Sequence, residues 1–470
     1  MNNKENNIIF GIENYCECKY YGEIDDDENH QWFLKFDKVF IKNGFPFDYS
    51  FYDFEEIFNI ENEKKYYEVI YNNKIRYFKK LFIRPWFISD KYSLNKHFDC
   101  VDDLIKSEKS FFFIIDCGDF TSIKNIILSE KILKLVNKNK CIIVLNTSYE
   151  PFSMETTYFS LSLEYFVKKY NLNKNTLKIL SGNLLSTIYN NDRYEFIPYC
   201  YFLENPWFVK KDSFLGDFDG EYNSKQIYSK LLDKKEYFLQ KNREITHFDK
   251  KILFYNRRPH GHRKYIFYHL YQDDIIRKNS YMSLNNLDHN VVTAYYFDNI
   301  SRDETNEIIQ FYQNNNNSWS FDGKDLNINL ADNFEDDYHK KTFLSLVSET
   351  NASNNILFFS EKIFKPIYAC QPFIISGNAY SLKKLKEFGF KTFDQWWDES
   401  YDNEYFFNNR VKKIKNILIE ISLKTDDELI KMLMEMESVL SHNFDVFVRY
   451  KNQLLYKSLS NILIQNKKLI

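Results

Sequence analysis

The strongest constraint in this 470-residue chain is a repeated alternation of two patterns. Short, unbroken runs of bulky apolar residues, "FFFIIDCGD" from Phe111 and "KCIIVLNTS" from Lys140, each end in polar or glycine residues. A strand with one face in water alternates apolar and polar side chains, so unbroken runs suit strands covered on both faces of a parallel sheet. Around them, "TSIKNIILSEKILKLVNKN" and "METTYFSLSLEYFVKKYN" have helical spacing, and "TLKILSGN" closes a further strand at a glycine. Strand and helix alternate, which predicts α/β layers.

A second series starts near Lys250, after a charged, mostly helical stretch from Asn205 that reads as a linker or domain crossing. It runs strand "KILFYN", loop "RRPHGHR", helix "KYIFYHLYQDDII", strand "VVTAYYF", helix "RDETNEIIQFYQ" and the run "TFLSLVSET". The segment "SEKIFKPIYACQ", a strand "PFIISG", a helix "AYSLKKLKEFG" and a long helical C-terminus follow. Such a length exceeds one ordinary core, so two lobes with a cleft between them are expected. The domains read as 1–240, 250–425 and a helical 426–470, and whether the last of these crosses back onto the first lobe stays open. Residues 1–105, with short aromatic segments such as "QWFLKFDKVFI" and "KKLFIRPWFI", give only an indistinct strand signal.

Composition excludes more than it identifies. A net charge of −3 provides no global field for nucleic acid or an acidic membrane, so any basic site is local. The start "MNNKENNIIFGIENY" lacks a signal-peptide pattern, and no run approaches the roughly 18 apolar residues of a membrane span, which predicts a cytoplasmic protein. The seven cysteines are scattered, with a lone C-x-C at Cys16 and Cys18, and read as reduced thiols. With only 11 glycines and 8 prolines, the chain looks like the product of an AT-rich coding sequence, so its 19% aromatic content is weak evidence for aromatic binding surfaces. Where glycine and proline persist, as at Pro259, Gly261, Pro366, Pro372, Gly377 and Gly389, the backbone is expected to need them.

Three places bear residues suited to chemistry. The loop "NRRPHGHR" puts Asn256, Arg257, Arg258, His260, His262 and Arg263 at the carboxyl end of a strand and the start of a helix. Ligands of open α/β sheets bind at such edges, where unpaired N–H groups, the helix dipole and arginine forks match a diphosphate. The plainer reading is a solvated basic loop. In "SEKIF", Ser360 as a cap would place Glu361 in the first turn beside Lys362, an acid that can accept two ribose hydroxyls and a cation for phosphate. Lys365, one turn on, extends the basic face, and Glu349 ends the preceding strand. The plainer reading here is a capping acid beside a surface lysine. In the first lobe Glu150, stiffened by Pro151, follows a buried strand and is a candidate general base, against the alternative of a loop acid. Asp116 and Asp119 are spaced D-x-x-D, unlike the D-x-D metal pair of nucleotide-sugar enzymes, so no metal is assigned.

On these residues the sequence resembles sugar-nucleotide glycosyltransferases of the two-lobed GT-B fold. It resembles most the often virus-encoded, transferase-like proteins with "NRRPHGHR" followed by "SLVSET" and "FFSEKIFKPIYACQPFIISGNAYSLKKLKEFGFKTFDQWWDESYD". It is more distantly similar to α-1,3-fucosyltransferases, which have an Arg-bearing loop, an acid-ending strand and a Glu-Lys pair opening a helix. The specific part of the resemblance lies nearly all in the second lobe. It implies two Rossmann-like lobes and a nucleoside-diphosphate sugar, GDP- or UDP-linked, as donor substrate, with no other cofactor. It also implies Arg257, Arg258 and Arg263 at the diphosphate, Lys362 at phosphate, Glu361 at ribose and Glu150 as base. "SLVSETNASNN" departs from the fucosyltransferase "F-E-N-S" wording, which leaves the nucleotide and the sugar open. A glycan, a protein or a modified base are all open as acceptor, and a viral source would place the protein in the host cytoplasm. Two rival readings are a binding protein that has lost turnover and a nucleic-acid module using the basic loop.

Overall fold

The computed structural model describes residues 110–450 apart from 118–121, 127, 129, 156, 205–223, 257–258, 285–299, 316–318, 320–335 and 354, together with 461 and strands at 10–12, 20–21, 66–71, 74–79 and 98–100. The chain divides into two compact units, the first reaching Tyr199 and the second comprising Cys200–Lys451. Each contains a parallel sheet, so the α/β class with two Rossmann-like units holds.

In the first unit the strands are β1 (Phe10–Ile12), β2 (Tyr20–Tyr21), β3 (Tyr66–Tyr71), β4 (Lys74–Lys79), β5 (Phe98–Cys100), β6 (Phe111–Asp116), β7 (Cys141–Thr147), β8 (Leu177–Ser181) and β9 (Glu195–Pro198). The parallel sheet runs β5-β1-β6-β7-β8-β9, and β2-β4-β3 form a small antiparallel one. Every residue of β7 and of β8 is buried, as their unbroken apolar runs require. Helices α1 (Glu130–Asn137) and α2 (Thr157–Tyr170) supply Ile132, Leu135, Phe159, Leu163 and Phe166 to the core around Ile143, Leu145 and Ile179.

After a short helix at Tyr201–Glu204, the second unit has α3 (Ser224–Glu244) and then β10 (Lys250–Tyr255), α4 (Gly261–Tyr271), α5 (Asp274–Lys278), β11 (Ser280–Ser283), α6 (Arg302–Asn314), α7 (Asp336–Lys341) and β12 (Thr342–Ser348). It continues with α8 (Glu361–Tyr368), β13 (Phe373–Ser376), α9 (Ser381–Glu387), α10 (Phe407–Leu423) and α11 (Asp426–Arg449). Its sheet is ordered β11-β10-β12-β13, all parallel, so the chain reverses its direction of travel across the sheet between β10 and β12. The single helix expected over "KYIFYHLYQDDII" is two, because the Asp273 side chain accepts from the N–H groups of Ile275 and Ile276 and starts a new helix. The strand expected over "VVTAYYF", the segment "QWFLKFDKVFI" and all of "KKLFIRPWFI" after Lys79 lie outside the described residues.

The division of the chain differs from the one read in the sequence. Helix α3 belongs to the second unit, where Lys235 pairs with Asp445 at 2.9 Å and Arg243 with Glu437 at 2.6 Å, both on α11. Helix α11 also covers α8, with Tyr368 stacked on Phe444 at 5.5 Å between ring centroids, so residues 426–449 are part of the second unit's body. Residues 451–460 and 462–470, on which any crossing to the first unit would rest, lie outside the described residues. Among the described residues no helix is long and apolar enough to cross a membrane.

Candidate functional site

The carboxyl edge of the second sheet, at the β10/β12 reversal, is where an open parallel sheet leaves a crevice for ligand. Helix α4 leaves β10 toward β11, and α8 leaves β12 toward β13, so the two helices start on either side of that point. Glu349, the residue after β12, lies between them. Its carbonyl oxygen accepts from His262 Nε2 at 2.9 Å and from the Arg263 guanidinium at 3.0 Å, both in the first turn of α4. Its carboxylate Oε2 accepts from the Ser360 N–H at 3.1 Å, the Ser360 hydroxyl at 2.6 Å and the Thr350 N–H at 3.2 Å.

Ser360 is the N-cap of α8, its hydroxyl accepting from the Lys362 N–H, as the sequence suggested. Ile363, Phe364, Ile367 and Tyr368 face the interior, which turns Lys362 and Lys365 to the half-buried side. Pro366 sits within the helix and donates nothing to the carbonyl of Lys362, four residues back. The Lys362 ammonium lies 2.7 Å from Glu361 Oε1, 3.3 Å from Ser360 Oγ and 3.4 Å from Thr350 Oγ1. Gly377 fits for a steric reason: a Cβ there would stand 3.3 Å from Glu349 Cβ.

The charges at this edge are set by burial and by the lysines of α8. Loss of solvent raises the Glu349 carboxyl above its ordinary range, only partly offset by Lys362 and the Ser360 hydroxyl. Burial acts the same way on Glu361, but Lys362 and Lys365 outweigh it and hold that carboxyl below its ordinary range. Burial, with Arg263 alongside, keeps His262 well below the usual imidazole value. The neutral ring carries its proton on Nε2, since that nitrogen faces the carbonyl oxygen of Glu349.

Polar atoms cross the sheet edge in a row. Ser348 pairs with Ser376, and extending the Leu253–Ser345 register by three places Asn256 beside Ser348. These side chains are buried, and among the described residues both amide atoms of Asn256, Ser348 Oγ, Ser376 Oγ, Glu349 Oε1 and Asn378 Oδ1 have no hydrogen-bond partner. A buried polar atom left unmatched costs about 1–3 kcal/mol, so polar partners, water included, suit this edge better than apolar contacts.

The candidate residues are thus distributed as follows. Asn256, Arg263, Glu349, Glu361 and Lys362 meet at one edge, with His260 at the cap of α4 stacked on His262 at 5.9 Å and Lys365 one turn into α8. Arg263 is 2% exposed and is bound to main chain, so it braces the edge as found here. Arg257 and Arg258 lie outside the described residues, as does Asp119. Glu150 belongs to the first unit, half-buried in the turn after β7, with its N–H donating to the Thr147 carbonyl. Sequence reasoning missed Arg410, buried in α10 and donating to the carbonyls of Gly377, Glu404 and Tyr405. A signal existed: Arg410 shares helical spacing with Ile414, Ile417 and Ile421, which places it on the apolar face.

No family model matches the chain, and no curated protein matches it. Among solved structures it is similar to the N-terminal domain of Candida albicans trehalose-6-phosphate phosphatase, with TM-score 0.37 and 10% identity over 82% of this chain and 77% of that one. It is also similar to an α1,3-fucosyltransferase, with TM-score 0.34 and 13% identity over 76% of this chain and 86% of that one. The catalytic domain of Arabidopsis thaliana starch synthase IV, solved bound to ADP and acarbose, gives TM-score 0.32 and 11% identity over 84% and 82%.

Proposed function

We propose that the protein is a glycosyltransferase of GT-B type, moving a sugar from a GDP- or UDP-linked donor to an acceptor hydroxyl. The observation that supports it most is the convergence of two helix starts, the Glu361–Lys362 pair and a row of unmatched polar atoms at the reversal point of one parallel sheet. In this reading the Lys362 ammonium and the α8 N-terminus hold a donor phosphate, and Glu361 accepts the ribose hydroxyls. His260 and Lys365 flank them, with Arg257 and Arg258 assigned to the diphosphate from the sequence resemblance.

The reaction is read as a single inverting displacement. An acceptor hydroxyl attacks the anomeric carbon, the bond from that carbon to the donor phosphate oxygen breaks, and the acceptor proton passes to the Glu150 carboxylate. Fixed cations stabilise the charge that develops on the departing diphosphate, a role that in other enzymes falls to a divalent ion.

Thermal-shift measurement with UDP, GDP, CDP and their sugars tests the reading. A ligand at 100 times its Kd adds about 2.7 kcal/mol of stability, so the stabilising nucleotide names the donor class. Lys362→Ala is expected to remove that stabilisation while leaving the protein folded. Absence of a shift with every nucleotide, or survival of the shift in Lys362→Ala, overturns the assignment of the site.

A further inference from the structure

Glu349 is bound in a way that neither a strand end nor a ligand contact requires. Its main-chain N–H donates to the Ser376 carbonyl and keeps it in the sheet. Its carbonyl is the shared acceptor for His262 and Arg263 at the start of α4. Its carboxylate is the acceptor for both Ser360 donors at the start of α8. The same Ser360 hydroxyl stands 3.3 Å from the Lys362 ammonium, so one chain of contacts runs from α4 through Glu349 to the cation of α8. At 1% exposure Glu349 is closed off, and Gly377 leaves room for its side chain and little else.

We propose that Glu349 is a positioning residue for a bound diphosphate: its main chain anchors the start of α4, its side chain anchors the start of α8, and together they set where Lys362 stands. This rests on the reading of the edge as a diphosphate site and moves Glu349 from the ligand's contacts to their support. Cost-free orientation matters because an anion held by a helix start and one ammonium is sensitive to small displacements of either. A consequence is that Glu349 and Lys362 act as a unit. Removing one leaves little for the other to contribute, as expected of residues in a single network.

The test measures binding of GDP, UDP and inorganic pyrophosphate to the full-length chain by calorimetry, in wild type, Glu349→Ala, Glu349→Gln, Lys362→Ala and the Glu349→Ala/Lys362→Ala double variant. Glu349→Ala and Lys362→Ala are each expected to weaken binding by about tenfold or more, and the double variant by no more than about threefold beyond either. Glu349→Gln keeps an acceptor for Ser360 and an unchanged carbonyl, so it is expected within about threefold of wild type. If Glu349→Ala does not fold, Ser360→Ala breaks the same link from the other side and is expected to weaken binding likewise. Wild-type affinity in Glu349→Ala, multiplied effects in the double variant, or a Glu349→Gln loss equal to that of alanine would overturn the positioning role while leaving the site in place. Failure of the wild type to bind all three probes would instead remove the site itself.

Discussion

Glu361 and Lys362 are consecutive, and consecutive helical residues do not usually face one another. They nonetheless pair at 2.7 Å in the first turn of α8, directly after the extended cap Ser360, φ −92°. The pair was legible because its roles follow from residue type and from a capping serine one position earlier. If Glu361 accepts ribose hydroxyls, Glu361→Gln weakens GDP or UDP by roughly ten- to a hundredfold, the range for hydrogen bonds to a charged group, and leaves pyrophosphate affinity nearly unchanged. Equal loss for both ligands would refute the ribose role. Glu349 gives a pH prediction of its own. Its folded carboxyl titrates above the ordinary 4.5, so the folded chain keeps a proton there that the unfolded chain has released. The stability this contributes is complete below about 4.5 and is lost as pH rises through the folded value. Glu361, held low by its lysines, contributes in the opposite sense, above 4.5 and declining in acid. Glutamine at 349 does not titrate, so the melting temperature of Glu349→Gln minus that of wild type is expected to grow between pH 5 and pH 8. A difference independent of pH would show that the carboxyl is not raised.

Helix starts carry the edge, and they are not equally placed. Thr425 begins α11 with a reciprocal capping box in which Glu428 returns to the Thr425 N–H at 2.7 Å, all of it exposed. Ser360 begins α8 while 0% exposed, and its hydroxyl also donates to Glu349. Losing an exposed cap costs about 0.5–2 kcal/mol, whereas losing Ser360 also takes a partner from a buried carboxyl, a further cost of about 1–3 kcal/mol. Ser360→Ala is therefore expected to destabilise clearly more than Thr425→Ala in urea denaturation; equal changes would mean that the Ser360–Glu349 bond adds nothing. Elements such as α9 and β13 were legible from apolar period and bounding Gly or Pro. The break between α4 and α5 was not, because "YQDDII" continues the helical period and only the side-chain bond at Asp273 interrupts it. Arg410 was passed over because a basic helical segment, "NNRVKKIKN", reads as a solvated face until its period is traced.

Across the whole molecule, the presence of two α/β units could be read from the alternation of buried runs and helical segments, but their boundary could not. Helix α3 looked like a linker because its pattern is dominated by charge, and the residues that hold it, Glu437 and Asp445, come some two hundred positions later. Charge balance at this scale also separates the transferase reading from its nucleic-acid rival. With 63 basic and 66 acidic side chains the chain has no net field for a polyanion, and the basic loop at 257–263 is short. A protein contacting 6–10 phosphates of a duplex would lose about 10³- to 10⁵-fold in affinity between 50 and 200 mM salt. A diphosphate pocket makes few such contacts and depends on fixed geometry, so its affinity should fall much less over that range. Measured side by side, GDP or UDP binding is expected to persist at 200 mM salt, with any duplex binding weak at 50 mM and not displaced by the nucleotide. Tight duplex binding with a steep salt slope, competed by nucleoside diphosphate, would instead make the loop a polyanion surface and turn the nucleotide into a mimic of its backbone.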